Sequence, residues 1–167
     1  MEYYKGAYPV RDVEHVRLID GHGFSTGYVA DFDNPIAAGS SIDIAIAFPS
    51  GLNPVFSING LSAGNAVGYL YEGANVSGGT SLPIVNRNRA STITSQGVAI
   101  ANPTVLSLGT QILQEILTGG VGKKGAGGSV GGNNIILKGL TTYLFRLTNA
   151  DINTNPHAAE IILSWPE

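Results

Sequence analysis

Residues 41–48 read Ser-Ile-Asp-Ile-Ala-Ile-Ala-Phe, which puts Ile42, Ile44, Ile46 and Phe48 on one side and Ser41, Asp43, Ala45 and Ala47 on the other. Successive side chains of an extended chain point to opposite faces, so this spacing specifies a half-buried β-strand rather than a helix, whose apolar stripe needs a 3.6-residue period. Pro49-Ser-Gly51 then stops the strand with turn chemistry. Similar runs recur along the chain. Residues 55–58 are closed by Asn59-Gly60, a dipeptide whose tolerance of positive φ suits a tight turn. In residues 66–72, Val67, Tyr69 and Tyr71 are in phase, and in 142–148 Tyr143, Phe145 and Leu147 oppose Leu144 and Arg146. Residues 82–89, 92–101, 105–108, 134–138 and 158–165 complete the set, with Ile161 and Leu163 opposing Ile162 in the last. Residues 110–117 (TQILQEIL) also fit a helical stripe through Ile112, Leu113, Ile116 and Leu117. Isolated helices that short are marginal, and Gly119-Gly120 follows at once, so the segment reads as a strand. Many short strands punctuated by Gly, Pro and Asn predict an all-β fold, an antiparallel β-sandwich of jelly-roll type.

A chain of 167 residues makes one domain with a core of ordinary size. Its first forty residues differ in character from the rest. Their periodicity is weak, and they carry Tyr3, Tyr4 and Tyr8 together with half of the acids. Residues 1–40 therefore read as an N-terminal arm with lead-in strands, and residues 41–167 as the sandwich domain. Such an arm packs back on its own domain or reaches a neighbour. Residues 119–133 are so rich in glycine that they read as a long hairpin loop.

Charged residues make up 13% of the chain, about half the usual quarter. A monomer of this size ordinarily keeps its surface about 25–35% charged. This chain must present Ser, Thr, Asn, Gly and apolar side chains instead, a surface suited to being covered by other polypeptides. Cysteine is absent, which excludes a disulfide framework, thiolate metal sites and a cysteine nucleophile. The net charge of −3 argues against nucleic acid as a partner. No apolar run reaches the roughly 18 residues of a membrane span, and no basic start precedes an apolar stretch at the N-terminus. Neither a membrane nor secretion is expected, and synthesis is expected in the cytoplasm.

The motifs that resemble chemistry dissolve on inspection. Gly120-Val-Gly122-Lys-Lys-Gly125 has the letters of a dinucleotide fingerprint, but that needs a helix starting at the loop, and the following Ala-Gly-Gly-Ser-Val-Gly-Gly tolerates none. Lys123 and Lys124, the only adjacent cations, suit an acidic neighbour or a merely solvated loop tip. In Asn86-Arg87-Asn88-Arg89, a strand would put Arg87 and Arg89 on one face, where two guanidinium forks clamp carboxylates. Those carboxylates belong to Glu72 or Asp43 of the same chain, or to a neighbour. His15 and His22 lie on the unpatterned segment with His157 far away, so no metal set and no cofactor is expected. No nucleophile elbow and no carboxylate pair stands out, so no catalytic residue is assigned. Trp165 ends an apolar strand and reads as core or interface.

Several of these stretches also occur in a familiar order. Gly78-Gly-Thr-Ser-Leu-Pro-Ile-Val-Asn-Arg-Asn-Arg89, Asn102-Pro-Thr104, Gly109-Thr110 and the glycine–lysine loop come first. Ile136-Leu-Lys138, Thr142-Tyr-Leu-Phe-Arg-Leu-Thr-Asn149 and Ile161-Ile-Leu-Ser-Trp165 follow. The series, over about residues 66–167, resembles a family of small virion structural proteins of tailed bacteriophages, with Trp-Pro-Glu at the end where the family pattern has Trp-Tyr-Glu. The resemblance implies a place in the virion, and the expected station is the capsid exterior. There a non-enzymatic decoration or cement protein, expected as a homotrimer, holds the major capsid protein. The alternative is a head-fibre or tail-associated module that recognises host-surface carbohydrate through Tyr69, Tyr71 or Trp165. The expected interface residues are Tyr3, Tyr4, Arg87, Arg89, Lys123, Lys124 and Trp165.

Overall fold

A computed structural model describes residues 13–118, 134–151 and 155–167. One short helix, α1 (Val13–Ile19), precedes the strands β1 (Gly23–Ala30), β2 (Ser41–Ala47), β3 (Val55–Ser62), β4 (Ala66–Glu72), β5 (Asn75–Ser77), β6 (Thr80–Ser81) and β7 (Val85–Asn86). There follow β8 (Val98–Ala101), β9 (Thr104–Ser107), β10 (Thr110–Leu117), β11 (Ile135–Ile136), β12 (Thr142–Asn149) and β13 (Ala159–Pro166). Two antiparallel sheets pack face to face, in the orders β11-β3-β13-β1-β7 and β10-β4-β12-β2-β8-β6. A small third sheet joins β5 and β9. The all-β sandwich that the alternation predicts is the fold of this chain.

The core forms where the inward residues of both sheets meet. Ile42, Ile44 and Ile46 from β2 and Tyr143, Phe145 and Leu147 from β12 face Phe56, Ile161, Leu163 and Trp165 from the opposite sheet. Its centre is aromatic. Phe56 stacks between Trp165 (5.1 Å between centroids) and Phe145 (5.4 Å), and Phe48 meets Trp165 edge-on at 5.5 Å. Offset and edge contacts at such distances add to the area that the rings remove from water.

Strand β2 departs from the half-buried pattern read in its sequence. Ala45 is buried as fully as its isoleucine neighbours, because the outer face of the six-stranded sheet carries a second apolar cluster. Ala45, Tyr71, Ala74 and Leu144 form it, and Val76 and Val105 of the β5–β9 flap cover it with Leu108. The turn into β10 depends on Gly109, whose φ is +78°. A Cβ there would also overlap the Glu72 carbonyl, so the position is closed to other residues on both counts.

Other expectations need correction. Asn59-Gly60 does not turn, because β3 continues to Ser62 and pairs Asn59 with Ile162 and Gly60 with Ile161. The ladder with β13 and the burial of Ile58 and Ser62 outweigh the local preference for a turn. Of residues 82–89 only Val85–Asn86 is strand, and of 92–101 only Val98–Ala101. Within residues 1–40, where lead-in strands are expected, Gly23–Ala30 is a full strand between β13 and β7. Phe24, Thr26 and Ala30 point inward, a period-two pattern hidden by a threonine that satisfies its hydroxyl on the Pro83 carbonyl at 2.9 Å.

Candidate interaction surface

Of the seven residues expected at an interface, Tyr3, Tyr4, Lys123 and Lys124 lie outside the described residues, as does the glycine-rich loop. Arg87 and Arg89 are exposed but do not share a strand face, since β7 ends at Asn86 and the chain turns. Neither meets Glu72 or Asp43, which bond Lys138 and Arg146 instead. The asparagines of this tetrapeptide are the structural pair. Asn86 Nδ2 donates to the carbonyls of Gly21 (2.7 Å) and Ile93 (2.9 Å), and Asn88 Nδ2 donates to Ile19 (2.7 Å). They tie the end of α1 and the start of β1 to the turn, leaving the arginines to project outward. Trp165 is 1% exposed, so it is a core residue and offers no surface. Its indole Nε1 donates to Glu167 Oε1 at 3.0 Å, which satisfies the one polar atom that its burial would strand.

Two polar clusters lie on or beside the six-stranded sheet. Arg146 and Asp43 stand directly opposite each other on β12 and β2 and form a bidentate pair, with Nε at 2.8 Å and Nη2 at 2.7 Å from the two carboxylate oxygens. Asn102 closes the Asp43 end by accepting from the Asp43 backbone N–H and donating its own to the Asp43 carbonyl. Burial raises the Tyr71 phenol above its usual value, against the lowering influence of Arg146. Glu72 accepts from Lys138 Nζ (2.7 Å) and from the Tyr143 hydroxyl (2.9 Å), and these bonds hold its carboxyl below the usual range. Both clusters satisfy themselves internally. Among the described residues no three His, Asp or Glu side chains converge to hold a metal ion, and no helix is long and apolar enough to cross a membrane.

The two ends of the sandwich differ in charge. At the end where β1 starts and β13 finishes lie Arg17, Arg87, Arg89 and Lys138, accompanied by Asp20, Glu72 and Glu167. At the other end β1 and β3 finish and β13 begins, with Ala30 and Ser62 both paired to Ala159. The charged side chains described there are all acids: Asp31, Asp33, Asp151 and Glu160. An open groove of about 440 Å³ lies at this acidic end, on the outer side of the five-stranded sheet. Val29, Leu61, Ala63 and Ala158 line it, Asp31 and Glu160 flank it, and Phe32 stands on its rim with 85% of its surface exposed. Asp31 Oδ1 accepts the backbone N–H groups of Asp33 (3.0 Å) and Asn34 (2.8 Å), a local turn that holds the segment carrying Phe32. Among the described residues no flap lies over this face, and Val29 and Ile162 are open to solvent on it. The groove is not legible in the sequence, because its walls come from three strands far apart in the chain. Asp-Phe-Asp-Asn-Pro is nevertheless a legible turn with an aromatic at its tip.

Beneath the same end His157 is buried. Its backbone exchanges both hydrogen bonds with Ile36 (3.0 and 3.1 Å), Gly64 approaches so closely that a Cβ there would overlap the imidazole, and both ring nitrogens are shut off from solvent. Burial holds its pKa below the ordinary 6.5, outweighing the pull of the Asp151 carboxylate and the Asn155 backbone. The unfolded chain therefore binds the proton more readily. Stability is full above pH 6.5 and falls as the pH drops through the lowered folded value. The melting temperature is expected to fall between about pH 7.5 and about pH 5, and His157→Gln should flatten that fall. Equal falls in both proteins would show that His157 is not the titrating group.

The fold and this surface define an all-β sandwich with one sheet face partly covered by a flap and one open. No family model matches the chain, and neither does any curated protein or solved structure.

Proposed function

We propose that this protein is a non-enzymatic structural component of a bacteriophage virion that decorates the capsid exterior and cements it by binding the major capsid protein, as a homotrimer. The observation that carries the reading is a charge-poor surface on which large apolar side chains stand exposed on an ordered sandwich, among them Phe32, Leu106, Ile116 and Leu140. Such side chains stay in water at a cost of about 25 cal/mol for each Å² of apolar area, which a neighbouring subunit removes. The order of motifs over residues 66–167 supports a place in the virion. Many identical contacts repeated over a shell give avidity without strength in any one of them. The carbohydrate reading is less favoured, since Trp165 lies in the core, Tyr71 is a buried member of the flap cluster, and Tyr69, stacked on it at 5.9 Å, is half-buried.

Heads assembled without this protein are expected to form but to rupture at lower temperature or milder osmotic shock than complete heads, with the purified protein restoring them. Equal heat resistance with and without it would remove the cement role.

A further inference from the structure

We propose that the groove at the acidic end, with Phe32 on its rim, seats a segment of the shell protein that presents an apolar side chain flanked by lysine or arginine. This assignment rests on the cement reading above and names the surface and the chemistry of the contact.

Three observations converge on it. The groove is apolar and built on the paired ends of β1, β3 and β13, so it exists before any partner arrives. Phe32 is the most exposed large apolar side chain among the described residues, and the turn made by Asp31 limits how much freedom its segment loses on binding. An aromatic placed beside a preformed pocket is the usual anchor of a protein contact.

Charge selects the occupant. Asp31, Asp33 and Glu160 have no ion-pair partner among the described residues, whose cations lie at the opposite end or, for Arg146, on Asp43. Nucleic acid and anionic lipid are repelled by three such carboxylates. So is the same end of a second copy, because a two-fold contact there would set acids against acids. A cationic polypeptide segment meets both needs at once. Its apolar side chain fills the groove beside Phe32, and its ammonium or guanidinium groups answer the carboxylates at the rim.

The test is sedimentation of purified protein with heads assembled without it, at low salt and at about 0.5 M salt, where attraction between exposed charges is strongly screened. Phe32→Ala should weaken binding about 30-fold, the loss typical of a central anchor. The triple variant Asp31→Asn/Asp33→Asn/Glu160→Gln should bind about tenfold more weakly at low salt and lose most of the salt dependence. The amide oxygen that takes the place of the Asp31 carboxylate can still accept the turn hydrogen bonds. Thr104→Ala, at an exposed position of β9 on the far side of the molecule's other sheet, should bind like the wild type. Phe32 is so exposed that its variant should keep the wild-type melting temperature, which separates lost contact from lost fold. Wild-type protein that binds while the Phe32 and triple variants bind equally well would overturn the groove and leave the cement reading standing. Wild-type protein that does not bind the heads would overturn both.

Discussion

Trp165→Ala is expected to lower the unfolding free energy by about 4 kcal/mol, within the range for removing a large buried aromatic. In a domain of this size that corresponds to a fall of roughly 10 °C in melting temperature. The indole lies stacked on Phe56 at an interplanar angle of 10° and receives the edge of Phe48, so its loss opens a cavity among rings that cannot all move inward together. It also removes the donor that holds Glu167, which accepts from the Gln96 backbone at 3.0 Å and from the Ser95 hydroxyl, tying the C-terminus to the 95–97 segment. Trp165→Phe keeps part of the stack and should cost about half as much. Urea unfolding followed by far-UV circular dichroism measures both. A Trp165→Ala protein within about 1 kcal/mol of the wild type would contradict a core position for this side chain.

The strands most legible in the sequence are those with one face in the core and ladder partners on both sides. Residues 142–148 are the clearest case, because Tyr143, Phe145 and Leu147 are large and the alternation is unbroken. Residues 110–117 were ambiguous by period alone. They are a strand because Leu113 and Leu117 pack against the core while the ladder to β4 shifts register between Gln111 and Leu113, which leaves Ile112 and Ile116 exposed. A helix would have brought all four apolar residues to one stripe. Gly23–Ala30 was obscured by composition, since glycine and threonine occupy strand positions that valine or isoleucine would have made obvious. Asn59-Gly60 carried a strong local signal for a turn that long-range pairing overrode.

The interaction surface was less legible than the fold for a related reason. Arg87 and Arg89 drew attention by their charge, while the asparagines beside them make the contacts that build the turn. Short amide side chains bond nearby and distant backbone groups alike, and sequence spacing does not reveal which. The charge asymmetry between the ends was beyond a one-dimensional reading, because Asp31 and Glu160 become neighbours only when β1 pairs with β13 in the register that sets Val29 against Glu160. Low overall charge was visible from the start. Its consequence, that the few carboxylates left over collect beside an apolar groove, needed the sheet.

The same scarcity of charge makes the Asp43–Arg146 pair the second large determinant of stability. In alternation Asp43 falls on the face of β2 that a simple two-layer sandwich would expose, yet side-chain exposures are only 10% for Asp43 and 24% for Arg146, on the same sheet face as the flap-covered cluster. Arg146→Met is expected to cost about 3 kcal/mol, because it strands a carboxylate that has little access to water. Asp43→Asn should cost less, about 1–2 kcal/mol, since the guanidinium is the more exposed partner and can turn its charge outward while an amide still accepts from it. Replacing both, as Asp43→Leu with Arg146→Met, should recover much of the loss, because apolar pairs of similar volume commonly match a buried ion pair in stability. Urea unfolding of the wild type, both single variants and Asp43→Leu/Arg146→Met gives the comparison, with Asp43→Leu measured alone to complete the cycle. A positive recovery in that cycle identifies this part of the sheet's outer face as interior. Simple additivity, with each single change below about 0.5 kcal/mol, would instead mean that water reaches both groups.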